Sequence, residues 1–278
     1  MSEAPSKPPT TGASPSPGTG ASSKPSRSIR GTLAVPTGTR AVYIATPAYG
    51  ATFAGDYVRS LFMLLRSKRK LPTDFIFHYF DYADVVVARN YLISDFYFNH
   101  PQCTHLLFLD DDMGFEASLI SDMLDLGEPL VGTIYPKRKL DLKKLHAAGD
   151  LPFEKALAKS LEFIGAESRP QMEKAGFISV NQCGTGIMLI SRGCIDEMVK
   201  KLPDIVDEKR FKRMPFAERF KRFLTPFDKI KTGEIELSED FSFCLRWREG
   251  CGGTIWAKPD ANIRHIGQMS FSGKYTDR

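Results

Sequence analysis

THLLFLDDDMGF, Thr104 to Phe115, is an apolar run that stops abruptly in three carboxylates. Leu106 to Leu109 is continuously apolar, which suits a strand buried on both faces of a parallel sheet. Gly114 then breaks the chain. Asp110, Asp111 and Asp112 are therefore expected at the carboxyl end of a central strand, where open α/β sheets place their ligands. Adjacent carboxylates repel one another and their unpaired burial is costly, so the cluster calls for a compensating cation. A hard divalent ion fits. Side chains alternate along an extended segment, so Asp110 and Asp112 project to one side and Asp111 to the other. Two oxygen ligands with open positions remaining could take an ion that also binds a diphosphate.

The chain has 278 residues and 42% apolar content, enough for a substantial core in one large domain or two small ones. Its net charge of +5 permits a polyanionic or phosphate-bearing partner without demanding one. Cys103, Cys183, Cys194, Cys244 and Cys251 form no CxxC pair, and an odd, scattered set argues for reduced thiols and a cytoplasmic setting. No apolar run reaches the length of a membrane helix, and the N-terminus lacks the order of a signal peptide. An integral membrane protein is not expected.

Met1 to Thr39 is dominated by Ser, Pro, Gly, Thr and Ala and reads as a disordered tail, because it holds too little apolar surface to offset its ordering entropy. Residues 40–278 form the folded domain. Ala41 to Thr46 begins it as a strand, closed by Pro47-Ala48-Tyr49-Gly50, and a helix follows over Asp56 to Leu65. Phe75 to Phe80 is a second strand and Asp84 to Phe98 a helix bearing Arg89 and Asn90. The third strand ends in the Asp cluster, Ser118 caps a helix to Leu126, and Leu130 to Ile134 is a fourth strand. This alternation predicts an α/β fold with a mixed, mostly parallel sheet flanked by helices.

Pro136 to Lys174 is charge-rich and poorly periodic, and predicts a variable, partly mobile excursion. Phe177 to Val180 and Gly186 to Ile190 read as strands around Gly184-Thr185-Gly186, and Cys194 to Lys201 as a helix. Lys209 to Leu224 interleaves seven basic residues with Phe211, Phe216, Phe220 and Phe223. Pro215 interrupts its periodicity, so a lid or packing role is favoured over a surface for nucleic acid or anionic lipid.

Glu236 to Trp247, ELSEDFSFCLRW, offers Ser238 as an N-cap, Glu239 and Asp240 in the first turn, and Phe241, Cys244 and Leu245 as an apolar face. Acids there complement the helix dipole, and they can equally bind a hydroxyl and take its proton. Gly252 to Trp256 reads as a further strand. His265-Ile266-Gly267 closes the series, and an imidazole beside carboxylates suits Mn²⁺ or a similar ion.

In this order the stretches TPAYG, ARN, FLDDDMGF, CGTGIMLI, SEDFSFCLRW and HIG resemble the GT-A nucleotide-sugar glycosyltransferases, over roughly Ala41 to Gly273. The resemblance implies a Rossmann-like GT-A domain that transfers a sugar from a nucleotide-sugar donor to an acceptor hydroxyl with Mn²⁺ or Mg²⁺. It implies that Thr46, Pro47, Ala48 and Tyr49 cradle the base and ribose and that Arg89 and Asn90 approach the nucleotide. The acidic run, Asp111 included, would lie against the donor, with Asp110 and Asp112 contacting ribose and metal-bound diphosphate. His265 would be an additional metal ligand. Gly184, Thr185 and Gly186 would lie along the donor sugar or acceptor. Asp240, with Glu239 beside it, would be the base of an inverting reaction. Arg246-Trp247 resembles a pair found after those acids in some members, but no Gln precedes it and no membrane helices accompany it, which counts against a processive polysaccharide synthase.

Two rivals stand beside this reading. Gly38-Thr39-Arg40 is similar to the phosphate-binding turn of sugar nucleotidyltransferases, yet it precedes the first strand instead of following it. A nucleic-acid-binding protein without catalysis would use the basic stretches and leave the Asp cluster unexplained. The two ideas join if the acceptor is a modified DNA base, which must be unstacked to react; the other acceptor class is a saccharide.

Overall fold

The computed structural model describes residues 39–68, 72–169 and 171–268. The tail expected over Met1 to Thr39 lies, apart from Thr39, outside the described residues. β1 (Arg40–Pro47) and α1 (Gly55–Arg66) are followed by β2 (Thr73–Phe80), α2 (Val85–Ser94) and β3 (His105–Leu109). β4 (Met113–Gly114), α3 (Ala117–Leu126) and β5 (Leu130–Thr133) complete the first half.

The second half opens with β6 (Tyr135–Leu140), α4 (Leu142–Ala147), α5 (Phe153–Ser160) and β7 (Leu161–Ile164). Short β8 (Ala166–Glu167) and β9 (Glu173–Lys174) lead to β10 (Phe177–Gln182), β11 (Gly184–Ser191) and α6 (Arg192–Lys201). After two small hairpins, β12 (Val206–Asp207) with β13 (Phe223–Leu224) and β14 (Lys231–Thr232) with β15 (Ile235–Glu236), come α7 (Glu239–Leu245), β16 (Ile255–Lys258) and β17 (Arg264–His265).

Nine strands form one mixed sheet in the order β2-β1-β3-β11-β5-β16-β10-β8, with β9 also on β10. β2, β1 and β3 are mutually parallel, as are β5 and β16, while β11 and β10 run against their neighbours. Helices cover both faces, so the architecture is α/β and compatible with a Rossmann-like fold.

The period-two alternation of each central strand explains the two cores. Tyr43, Leu106, Phe108, Met188 and Ile190 face one side with α2, α6 and α7; Val42, Ile44, Leu107, Leu109, Ile187 and Leu189 face the other with α1 and α3. Asp84 caps α2 by accepting from the Val86 and Val87 amides at 2.8 and 3.2 Å. No helix among the described residues is long and apolar enough to cross a membrane.

Several local expectations need correction. Pro136 to Lys174 is built, not a loose excursion: β6 and β7 form a hairpin that brackets α4 and α5. α3 starts at Ala117 with Glu116 at its cap, which puts Ser118 inside the helix. α7 buries Ser242, Phe243 and Cys244, whereas Phe241 and Leu245 are half-buried. Gly252 and Gly253 belong to a turn and not to a strand. Gly252 takes φ +71°, and a Cβ on Gly253 would come within 2.0 Å of the Trp247 ring, so only glycine lets that indole seat itself. Lys209 to Leu224 needs no correction, since it packs as expected. Its four phenylalanines are buried, with Phe216 and Phe220 edge-on to Tyr91 at 5.0 and 5.4 Å, while Lys209, Arg210, Lys212, Arg213, Lys221 and Arg222 stay exposed.

Candidate functional site

The Asp cluster sits where its sequence placed it, directly after β3. The Asp110 amide donates to the Gly186 carbonyl at 3.0 Å, which fixes the first acid against β11. Arg89, buried in the second turn of α2, donates to both Asp110 carboxylate oxygens at 3.1 and 3.4 Å. The Nε of the same guanidinium lies 3.7 Å from Glu239 at the start of α7. One cation therefore joins the two acidic constellations. Burial works against its charge, but Asp110, Glu239 and Asp240 outweigh that and raise its pKa above the ordinary arginine value. Among the described residues its Nε and Nη1 nonetheless have no hydrogen-bond partner. Two buried donors aimed at an acidic cleft are a standing demand for an acceptor.

Asp112 faces two different cations. Arg138, on β6, donates to its Oδ2 at 2.8 Å, and His265 Nε2 lies 3.4 Å from the same oxygen. β17 pairs with β4 so that His265 stands opposite Met113, and the Ile266 amide donates to the Asp112 carbonyl at 2.8 Å. His265 Nδ1 is 2.8 Å from the Pro136 carbonyl, which holds the proton on that nitrogen and turns Nε2 toward Asp112. Burial disfavours the imidazolium, yet the hydrogen bonds to Asp112 and Pro136 and the Asp112 charge raise the pKa above the ordinary value. Gly267 has a steric reason: a Cβ there would meet the Arg138 stem at 2.7 Å.

Burial, with Asp112 and Asp110 next in weight, pushes the Asp111 carboxyl up to about 6. The native chain then holds that proton more tightly than the unfolded chain, so stability falls as pH rises from about 4 to about 6. Asp111→Asn is accordingly expected to raise the Tm at pH 7 in the absence of divalent ions. The gain over the parent chain disappears as the pH is lowered to about 4, where Asp111 is protonated anyway. Parallel thermal melts of the two proteins across that range check it; a gain that persists at low pH would sink the assignment.

Gly184 and Gly186 are explained by Tyr135. A Cβ on either would lie 2.2 or 2.8 Å from its phenol oxygen, and the Gly186 amide donates to that oxygen at 3.1 Å. The pair thus admits a ring to the floor of the site, and the Thr185 hydroxyl between them is buried without a partner. Asn90 is brought to the site but spent on structure. Its Oδ1 accepts from the Phe227 amide at 3.0 Å and its Nδ2 donates to Asp228 at 2.9 Å. Thr46 likewise pairs with the Tyr57 hydroxyl at 2.6 Å. Pro47 is half-buried and Ala48 buried, while Tyr49 stands 70% exposed at the rim. Asp240 Oδ1 accepts from Ser238 Oγ and from the Phe241 amide, leaving Oδ2 open among the described residues.

Sequence reasoning missed Tyr135 and Arg138. The two glycines inside one strand were a signal of close approach, and they pointed to a large partner without naming it. Arg138 carried no signal beyond its basic neighbours.

No family model matches the sequence, and no curated protein matches it. Among solved structures the chain is similar to A197 from STIV, with a TM-score of 0.45 and 13% identity over 82% of this chain and 86% of that one.

Proposed function

We propose that the protein is a metal-dependent GT-A glycosyltransferase, acting on a nucleotide-sugar donor and an acceptor hydroxyl with inversion. The observation that carries this reading is the Asp112–His265 pair. A histidine whose far nitrogen is tied to a backbone carbonyl, with its near nitrogen on a carboxylate, is the arrangement that divalent-metal sites use to orient an imidazole. Asp112 and His265 would be the two donors to Mn²⁺ or Mg²⁺, leaving the other positions to diphosphate oxygens and water. When bound, such an ion neutralises charge on the departing nucleoside diphosphate.

The chain's own residues supply the rest. Arg89 holds Asp110 in place and keeps two N–H groups for an anionic oxygen of the donor. Tyr49, exposed at the carboxyl end of β1, offers a face on which a base can stack. Asp240 takes the proton of the acceptor hydroxyl on its open Oδ2 as the oxygen attacks the anomeric carbon. Buried, unpaired thiols at all five cysteines support a cytoplasmic location. The acceptor is a saccharide or a modified DNA base, and the exposed basic side chains between Lys209 and Arg222 would suit the second.

A panel of nucleotide sugars with Mn²⁺ or Mg²⁺ tests this, read by thermal shift and by slow release of nucleoside diphosphate. One donor is expected to stabilise the chain only when the ion is present, and Asp112→Ala to abolish the response. Silence across the panel, with DNA binding that weakens steeply in salt, would instead favour a non-catalytic nucleic-acid binder.

A further inference from the structure

Away from the Asp cluster, at the far end of α2, lies a second set of metal-type side chains. Asp95 caps α2 and is followed by a π-helical turn over Asp95–Asn99, and His100 comes next. Asp95 is six residues beyond Arg89, about 9 Å along a helix axis. His78 reaches it from β2, where it pairs with Ala45. The Asp95 Oδ2 lies 3.3 Å from His100 Nε2 and 3.9 Å from His78 Nδ1. One atom from each of the three residues falls within 4.8 Å of the others, and among the described residues no other His, Cys, Asp or Glu group does so.

The two carboxylate oxygens divide their work. Oδ2 faces both imidazoles and accepts from the Tyr43 hydroxyl at 2.7 Å. Oδ1 is turned away, held by the Asn99 amide at 2.8 Å with Arg219 at 3.6 Å. Such outer contacts fix the direction in which a ligating carboxylate points. Tyr43 stacks on His78 at 4.5 Å and tilts over His100 at 5.0 Å, so the rings are walled in position. His100 Nδ1 lies 3.5 Å from the Gln102 side-chain amide nitrogen, which can donate to it. His78 has no hydrogen-bond partner among the described residues.

We propose that His78, Asp95 and His100 form a zinc-class metal centre, separate from the Asp112–His265 pair, that clamps the outer strand β2 to the end of α2. Ligand atoms about 2.0–2.2 Å from a tetrahedral Zn²⁺ stand about 3.3–3.6 Å apart, so the His100–Asp95 separation already suits the ion and the His78–Asp95 separation exceeds it by a few tenths of an ångström. Two imidazoles and one carboxylate leave a fourth position for water. The role is structural, because the ion would join two elements adjacent in the fold and separated in sequence, and would stabilise only the folded chain.

The full chain, stripped with a chelator, is titrated with Co²⁺ and followed by visible absorption, then back-titrated with Zn²⁺. One equivalent of Co²⁺ is expected to give intense tetrahedral d–d bands that Zn²⁺ erases, together with a rise in Tm. His265→Ala is expected to keep those bands. His100→Gln and His78→Gln, which preserve bulk, are expected to weaken Co²⁺ binding by more than about 100-fold, beyond what loss of an outer contact costs. Absence of the bands in the parent chain overturns the proposal, as does their persistence in both Gln variants. Their loss in His265→Ala alone would assign the ion to the Asp112 site instead, also overturning it. None of these readouts depends on glycosyl transfer.

Discussion

Arg89→Met unfolds at a Tm lower by about 10 °C at pH 7 than the parent chain. The guanidinium is the shared partner of Asp110 and Glu239, and Met fills its volume while removing its charge. Taking one partner from a buried ion pair costs about 3–5 kcal/mol, and the low end applies here because the half-buried carboxylates left behind keep some access to water. For a domain of this size each kcal/mol moves Tm by about 2–4 °C, which gives the figure above. Two further results follow from the same cause. Lowering the pH toward the carboxylate range shrinks the deficit, since Asp110, whose pKa burial raises, no longer needs the cation once protonated. Arg89→Lys restores only part of the loss, because an ammonium cannot reach both acids with a planar fork. Differential scanning calorimetry across pH measures all three, and a deficit under about 2 °C would show that Arg89 is not the link between the acids.

Asp240→Asn loses transfer by about 10²–10⁴-fold while keeping donor-dependent stabilisation, if the proposed chemistry holds. Asparagine keeps the contacts that Oδ1 makes with Ser238 and the Phe241 amide, so the local fold survives. It cannot take a proton. The decisive comparison is acceptor-dependent product formation against the ion-dependent thermal shift from the donor alone. Retained transfer in Asp240→Asn removes the base assignment, whereas loss of the thermal shift as well would mean that Asp240 serves donor binding.

Much of the site was legible because its acids sit on segments whose periodicity is local. Leu106 to Leu109 reads as a doubly buried strand, and that strand delivers Asp110 to Asp112 to its carboxyl end in the middle of the sheet. What escaped was set by tertiary contact. Arg138 lies in a hairpin whose apolar residues are too sparse to show a pattern, and Phe163 and Leu142 on its flanks remain exposed. Its meaning appears only when Asp112 and Gly267 come beside it. Gly184 and Gly186 were visible as a pair, but the donor-site role implied for them overlooked the Tyr135 ring that requires them. Asn90 was visible too, while its partners Phe227 and Asp228 lie 137 and 138 residues further on. The His78, Asp95 and His100 set was equally hidden, since its members belong to a strand, a helix end and a turn that no spacing rule connects.

β17 has a consequence for how the chain comes into being. Its two residues, Arg264 and His265, pair with β4 across about 150 residues of intervening sequence, close to the last described position. On a ribosome the first three strands emerge early and can associate, because β1, β2 and β3 are near one another in the chain. β11 then inserts between β3 and β5 and β16 joins β5, while β17 meets β4 in a two-stranded sheet of its own. Folding order of this kind is slow, as distant pairings bear their loop-closure entropy before they are stabilised. A nascent chain released before Arg264 would hold every acid of the cluster and no His265. The Asp112–His265 pair is thus assembled only after all the sequence between its two members has emerged.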